Sequence, residues 1–415
     1  MKRVYFKTFG CRTNQFDTQV MISRLRDFEL AEDEAHSDIV VVNSCTVTNG
    51  ADASVRGYIN ALKRNHPHVQ VVLAGCGAHS KGEALFNDGK VFGVMGHSEK
   101  EKINEILQRP ERFYEIGDLE HIDETVVEEF VGKSRAFIKI QEGCDFRCSY
   151  CIIPYVRGNA RSHKEETILE QVRRLAANGF GEFILTGTNV GSYGKDRGTS
   201  LAELLRKLSY IRGVRRIRIG SLEPVQIDDA FKELLDEPWM ARHLHIALQH
   251  TSDKMLEVMN RRNRFDEDLQ LFRELADKGY ALGTDFIVGH PGEDEAAWRE
   301  AMARIDMLPL THIHAFTYSQ RDGTPSAAMR TDVRGDTAKA RHKELTARIK
   351  EKNYAFRKAH ASQLEVLLES GKEGRFSGYD QYYNKVTVYS DEDLRANWVL
   401  LNDVEVGRDG NVARL

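Results

Sequence analysis

The 415-residue chain has no run of about 18 apolar residues, so a membrane-spanning helix is not expected. It also lacks a strong charge of either sign. Its 59 Lys and Arg stand against 63 Asp and Glu, giving a formal net charge of −4 and a pI near 6.5. That balance excludes a uniformly basic nucleic-acid binder and leaves local patches for any such contact. Cysteine is scarce, six residues in all, too few for a disulfide-stapled scaffold. In a reducing compartment these are thiols, to be read as metal ligands, nucleophiles or core fillers. Internal repeats and low-complexity tracts are missing. The opening residues, Met1 to Phe6, run into a strand-like pattern without the apolar core or cleavage site of a signal peptide, which points to the cytoplasm. A hydrophobic content of 41% and a mean hydropathy of −0.48 fit a globular protein of two or three domains.

What the chain does have is a particular placement of those six thiols. Cys144, Cys148 and Cys151 fall within the eight residues Cys144-Asp145-Phe146-Arg147-Cys148-Ser149-Tyr150-Cys151. Such spacing lets one short loop wrap a single polynuclear centre, and cysteine thiolates are the usual ligands of iron–sulfur clusters. A four-iron cluster needs four ligands and this loop supplies three, which leaves one iron open to a substrate or cofactor. A zinc knuckle and a chance group of buried cysteines are the alternatives. Zinc sites prefer two separated ligand pairs, and no matching fourth ligand lies nearby.

The other three thiols each end an apolar, β-branched-rich run: Val4 to Phe9 before Cys11, Asp38 to Val42 before Cys45, and Val69 to Ala74 before Cys76. Helical patterns lie between, roughly over 14–30 and 49–65. Strands alternating with helices imply a parallel sheet, and such sheets bind ligands at the carboxyl ends of their strands. Cys11, Cys45 and Cys76 therefore converge although they are 34 and 31 residues apart. The plainer reading is of buried cysteines acting as small hydrophobes.

Val91 to Met95 reads as a further strand and Glu99 to Leu107 as a helix, followed by an acidic, irregular linker. A strand over 134–140 delivers the cysteine loop. Further strands over 183–186, 216–219, 244–248, 281–288 and 312–316 alternate with helical patterns, which makes about six β/α units and suggests a partial barrel with its chemistry at the carboxyl ends of the strands. From Asp336 to His360 an uninterrupted helical pattern carries eight Lys and Arg against three acidic residues. It is either a solvated face or one that tracks phosphates. Short alternating runs from about 361 indicate a small all-β barrel.

With both triplets in view, the chain resembles the radical S-adenosylmethionine (SAM) methylthiotransferases along essentially its whole length. The resemblance rests on Thr8-Phe9-Gly10-Cys11-Arg12-Thr13-Asn14-Gln15, Asn43-Ser44-Cys45-Thr46-Val47-Thr48, Gly75-Cys76, and the Cys144–Cys151 loop with Ile152 to Gly158 after it. It extends to Leu185-Thr186-Gly187-Thr188-Asn189-Val190-Gly191-Ser192-Tyr193-Gly194 and to Glu369 with Gly378-Tyr379. It implies an α/β multidomain protein: a parallel α/β methylthiotransferase domain over 1–115, a linker over 116–133, a partial (β/α)6 radical SAM barrel over 134–335, a basic connecting helix over 336–360 and a TRAM barrel over 361–415. It implies two [4Fe-4S] clusters, one on Cys144, Cys148 and Cys151 that cleaves SAM to an adenosyl radical, and an auxiliary one on Cys11, Cys45 and Cys76 whose open iron carries the sulfur to be delivered.

No side-chain nucleophile is expected, since the chemistry is that of clusters and cofactor. SAM contacts are expected from Thr186, Asn189, Glu223, Gln249, Arg161 and Tyr150. The implied partners are the anticodon loop of tRNA, SAM, an electron donor such as a flavodoxin or ferredoxin, and a sulfur donor. Arg157, Arg261, Arg262, Arg264, Lys350 and Arg357 are candidate RNA contacts.

The motifs look most like the branch acting on threonylcarbamoyladenosine in tRNA. Other branches act on isopentenyladenosine in tRNA or on an aspartate of a ribosomal protein. A non-catalytic iron–sulfur electron carrier or RNA-binding protein is the alternative of another class, against which the two three-cysteine sets argue. His250, His163 and His290 stand where serine, arginine and phenylalanine are common in the family. The segment from 361 has six Lys and Arg against ten Asp and Glu, a poor electrostatic match to RNA.

Overall fold

The structure, a computed structural model, describes residues 1–128, 130 and 133–415, so positions 129, 131 and 132 of the expected linker lie outside the described residues. The first sheet is built from β1 (Lys2–Thr8), β2 (Phe28–Leu30), β3 (Ile39–Ser44), β4 (Gln70–Gly75), β5 (Gly93–Met95) and β6 (Phe113–Glu115), all parallel and in the order β2-β1-β3-β4-β5-β6. Successive residues of β3 point to opposite faces: Ile39 and Val41 join one apolar core, Val40 and Val42 the other. Helices 12–24, 49–65 and 76–87 cover the sheet.

Two strands escape the sequence pattern. Helix 12–24 ends six residues earlier than the expected 30 because Asn104 Oδ1 accepts from the backbone N–H groups of Arg26 (2.7 Å) and Asp27 (3.0 Å), drawing the chain into β2. The three residues of β6 pair with β5 within a stretch whose composition reads as irregular. The helix expected over 99–107 is a 3-10 turn, His97–Lys102, followed by one α-turn.

The central barrel consists of β7 (Ala136–Lys139), a two-residue pair β8 (Gln141–Glu142) and β9 (Arg161–Ser162), then β10 (Glu182–Thr186), β11 (Arg216–Ile219), β12 (His243–His245), β13 (Ala281–Val288) and β14 (His312–Thr317). Two parallel ladders, β11-β10-β7 and β12-β13-β14, are joined by bridges at Ile217–Met240 and Leu222–Ile246. Helix Gly335–Ala359 closes on β14, where His342 Nε2 meets the Ala315 carbonyl at 2.9 Å.

The C-terminal unit is a six-stranded, mostly antiparallel half-barrel of β15 (Leu364–Lys372), β16 (Arg375–Tyr379), β17 (Lys385–Tyr389), β18 (Trp398–Leu401), β19 (Glu405–Val406) and β20 (Asn411–Arg414). It caps the amino ends of the barrel strands: Arg135 forks onto Glu369, and Arg216 donates to Glu365 (2.7 Å) while lying over the Trp398 ring.

The first sheet and the barrel are joined through charge. Lys139 Nζ lies 2.5 Å from Asp17, 2.8 Å from Asp123 and 2.5 Å from Glu142, and Lys100 Nζ reaches the same three carboxylates at 3.2, 2.8 and 3.3 Å. Arg157 pairs with Asp17 at 2.9 Å and Arg161 with Glu142 at 3.0 Å. The acidic stretch before β7 thus contributes a buried ligand, Asp123, instead of a solvated tether. Burial disfavours each carboxylate's charge, but the surrounding ammonium and guanidinium groups outweigh it and hold Asp17, Asp123 and Glu142 well below the usual range.

Removing one cation leaves buried carboxylates uncompensated, so Lys139→Met is expected to cost about 3–5 kcal/mol in denaturant unfolding, whereas Lys254→Ala, at an exposed pair, leaves the curve in place. Because the folded-state values are depressed, the network's contribution is complete at neutral pH. It is lost as pH falls below about 4, the range in which unfolded carboxylates protonate; an acid-unfolding titration reads this directly.

Candidate active site

The first sheet places its three thiols just beyond adjacent strand ends: Cys11 after β1, Cys45 after β3 and Cys76 after β4. Asn14 ties their loops together, its Nδ2 donating to the carbonyls of Phe9 and Ser44, both at 2.9 Å. Cys45 and Cys76 are buried and Cys11 is exposed. The second triplet follows β8. The loop turns at Gly143, where φ is +70° and a Cβ would come within 1.8 Å of the Asn159 carbonyl oxygen, so only glycine fits. Ser149 then anchors the loop by donating through its backbone N–H to Met259 O (3.0 Å) and through its hydroxyl to Val258 O (2.9 Å).

Each triplet has nitrogen donors aimed at sulfur. Arg157 Nε lies 3.2 Å from Cys76 Sγ, Asn189 Nδ2 3.5 Å from Cys144 Sγ, and Arg261 Nη1 3.7 Å from Cys148 Sγ. Burial pushes the Cys76 thiol up to about 11 and the Cys151 thiol up to about 12, so a metal must displace protons to bind there. Among the described residues, neither triplet gathers its sulfurs within 4.8 Å of one another. A single zinc ion would hold them about 3.8 Å apart, so the spread does not fit a mononuclear site. Three thiols per set, with N–H donors aimed at sulfur, suit iron–sulfur ligation.

The two triplets meet at one cavity of about 400 Å³, lined by Cys11, Val47, Tyr150, Cys151, Gln249, Asp285 and Phe316 among others. Cys76 also packs against Ile152 and Val156, the residues that follow Cys151.

Residues 3–96 match the Uncharacterized protein family UPF0004, and residues 138–305 match the Radical SAM superfamily. Over its full length the chain is 52% identical to a Helicobacter pylori protein, itself wholly covered, which is provisionally named a methylthiotransferase. The chain belongs to the radical SAM methylthiotransferase family. Family membership brings SAM and a [4Fe-4S] cluster. A relative in Aquifex aeolicus, the threonylcarbamoyladenosine tRNA methylthiotransferase MtaB, is 34% identical across 89% of this chain and 93% of its own. The structure of the radical SAM methyltransferase TsrM from Kitasatospora setae aligns with a TM-score of 0.62 at 16% identity, covering 79% of this chain and 77% of that one, a likeness of fold.

Of the residues expected to hold SAM in this methylthiotransferase, Gln249 and Tyr150 line the cavity. Asn189 bridges Cys144 to Gln226, whose Nε2 donates to Asn189 Oδ1 at 2.7 Å, and Glu223 pairs with Arg261. Thr186 is buried, its hydroxyl 3.3 Å from that of the cavity-lining Thr13 of the first sheet, and the next residues, Gly187 and Thr188, line the cavity. Arg161 is spent on Glu142 and on the carbonyls of Arg157, Asn159 and His121.

Three of the expected RNA contacts turn inward. Arg157 is 1% exposed and bound to Cys76, Asn14 and Asp17; Arg261 is buried between Glu223 and Cys148; Arg357 is buried against Gly407, Arg408 and Asn411. Buried forks with their donors satisfied cannot meet a phosphate backbone. Lys350 and Arg262 are exposed and Arg264 is half-buried; Arg262 stacks 3.7 Å over the Phe146 ring.

Sequence reasoning missed Asp285, Val47 and Phe316 as cavity walls, and Arg321, which donates to Thr46 O (2.9 Å) and Asp52 Oδ2 (2.7 Å) and so grips the Cys45 loop. The pairing of Asn14 with Arg157 was also unread.

Gln249 stands at φ +66°, a left-handed conformation that costs a non-glycine residue roughly 1–2 kcal/mol. Gln249→Gly is expected to raise the thermal midpoint and Gln249→Val to lower it; equal midpoints would refute the strain at this cavity wall.

Proposed function

We propose that this methylthiotransferase inserts a methylthio group at carbon 2 of N6-threonylcarbamoyladenosine at position 37, next to the anticodon of tRNA, in the cytoplasm. The observation that carries the reading is the single cavity lined by one thiol from each triplet, Cys11 and Cys151. The substrate is supported by relatives named for it at 34% and 32% identity across 89% and 98% of this chain, in Aquifex aeolicus and Bacillus subtilis.

Cys144, Cys148 and Cys151 would hold the SAM-binding [4Fe-4S] cluster and Cys11, Cys45 and Cys76 a second. When bound, these groups supply a carbon-centred radical able to remove a hydrogen that acid–base chemistry cannot reach, and the sulfur that replaces it. The protein's own work is positional. Asn189 and Arg261 donate toward the sulfurs of Cys144 and Cys148, and Arg157 donates toward that of Cys76 while keyed to Asp17 and Asn14.

Val47 and Phe316 are apolar, exposed and part of the cavity wall, suited to stack against a base splayed from its loop. Lys339, Lys343 and Lys350 are exposed at helical spacing along helix Gly335–Ala359, and Lys339 sits beside Phe316 and Asn49 near that wall. They offer a track for tRNA phosphates. The C-terminal half-barrel is read as a TRAM-type module, and an external flavodoxin- or ferredoxin-like reductant and a sulfur donor complete the reaction.

In reconstituted protein given SAM and a reductant, Cys148→Ala is expected to abolish 5′-deoxyadenosine formation. Cys45→Ala should keep that cleavage yet make no methylthio product, and equal loss in both variants would refute the division of labour. Mass spectrometry of tRNA nucleosides from cells with and without the gene tests the substrate. Loss of 2-methylthio-N6-threonylcarbamoyladenosine supports it, whereas loss only of the dimethylallyl counterpart assigns the activity named for a 30% identical relative in Marinomonas.

A further inference from the structure

Beside the thiol cavity four histidines stand on the two strands that flank β13: His243 and His245 on β12, and His312 and His314 on β14, with His245 and His312 both opposite Gly283 and His314 opposite Asp285. The central strand makes room for these rings at Gly283, where a Cβ would come within 2.8 Å of His245 Nδ1, 3.1 Å of His243 Nε2 and 3.3 Å of His312 Cβ. Two residues on, the same strand contributes Asp285, a cavity-lining carboxylate.

His245 Nε2 lies 3.1 Å and His314 Nδ1 3.4 Å from the same oxygen, Asp285 Oδ1, and the three ligand atoms all fall within 4.8 Å of one another. Although close, His245 Nε2 is buried and makes no aligned hydrogen bond. The two imidazoles are stacked, centroids 4.8 Å apart and planes 28° from parallel.

Ligand atoms around one ion with bonds of about 2.0–2.2 Å stand roughly 3–3.5 Å apart, which is the separation of each histidine nitrogen from Asp285, and the two nitrogens lie within 4.8 Å of each other. A second group, Asp123, Glu142 and His163, is equally compact, but the ammonium groups of Lys100 and Lys139 already fill it. No lysine or arginine pairs with Asp285 among the described residues; its charge is met by His245 and His314 alone.

We propose that His245, Asp285 and His314 form a mononuclear site for a zinc-class divalent ion on the barrel wall, beside the cavity and separate from both thiol triplets. Two imidazoles and a carboxylate suit such ions. Three protein ligands leave a position open, as in sites that bind a further group rather than closed structural ones. His314 is 63% exposed along its side chain, which provides an entry path.

The test uses the protein with its iron–sulfur clusters in place, equilibrated with zinc(II) and dialysed. One zinc per chain beyond the iron is expected, with a zinc-edge anomalous peak in crystals at bonding distance from the three residues. His314→Ala, at an exposed position, and Asp285→Asn, which preserves shape, should each weaken zinc binding at least tenfold, while His36→Ala, at an exposed His–Asp pair, should not. Retention of no zinc, equal affinity in wild type and His314→Ala, or an anomalous peak only at the cysteines would each overturn the proposal. None of these outcomes depends on which nucleoside the enzyme modifies.

Discussion

The arrangement depends on one buried network of charge, in which Asp17, Asp123 and Glu142 are shared by Lys100, Lys139 and Arg157. The two thiol triplets belong to different sheets, and transfer of a group between centres on separate sheets requires a fixed aim. An apolar seam would hold the sheets together but tolerate sliding. Ion pairs in a low-dielectric interior are directional and leave uncompensated charge if the register slips. Arg157 carries this register into the site itself, since the guanidinium that meets Asp17 and Asn14 also donates to the Cys76 sulfur. Burial opposes its charge, yet the Cys76 sulfur, Asp17 and Glu142 hold it firmly protonated.

Arginine is used again wherever two units meet, and for the same geometric reason: its planar fork can satisfy several acceptors while its face lies on an aromatic ring. Arg321 reaches from the loop after β14 to Thr46 and Asp52 beside Cys45. Arg135 and Arg218 extend from the barrel floor onto Tyr383, which also takes a hydrogen bond from Arg12, the residue after Cys11. The C-terminal half-barrel thereby supports the floor of the barrel, opposite the cysteine loop. Its acidic balance agrees with a supporting role, and the exposed lysines lie on the helix that precedes it.

Most of this architecture was legible because strand ends carry marked residues. Cys11, Cys45 and Cys76 each follow an apolar run, and the parallel-sheet rule brings them together without any contact being known. What was not legible depends on side chains from distant segments. Nothing near residue 25 shows that Asn104 will end the helix there, and nothing in Arg157 distinguishes an RNA contact from a buried clamp until Asp17 and Cys76 are seen around it. The basic helix shows the same limit: charge counts treat Lys350 and Arg357 alike, but one faces solvent and the other is enclosed by Asn353, Gly407 and Asn411.

The three histidines that depart from the family pattern all turn inward. His163 lies in the charge network beside Asp123, where burial holds it neutral. His250 accepts from Ser252 N–H at 3.0 Å and faces Glu293. His290 Nε2 meets Ser326 Oγ at 2.8 Å, and that serine donates to Ser149 of the cysteine loop at 2.8 Å. Each side chain is thus engaged in internal packing, and none lines the cavity. Substitutions that look like a change of specificity therefore act on the scaffold behind the site. The cavity wall itself is shaped by Val47, Phe316 and Tyr318, with Asp285 as its carboxylate among the described residues.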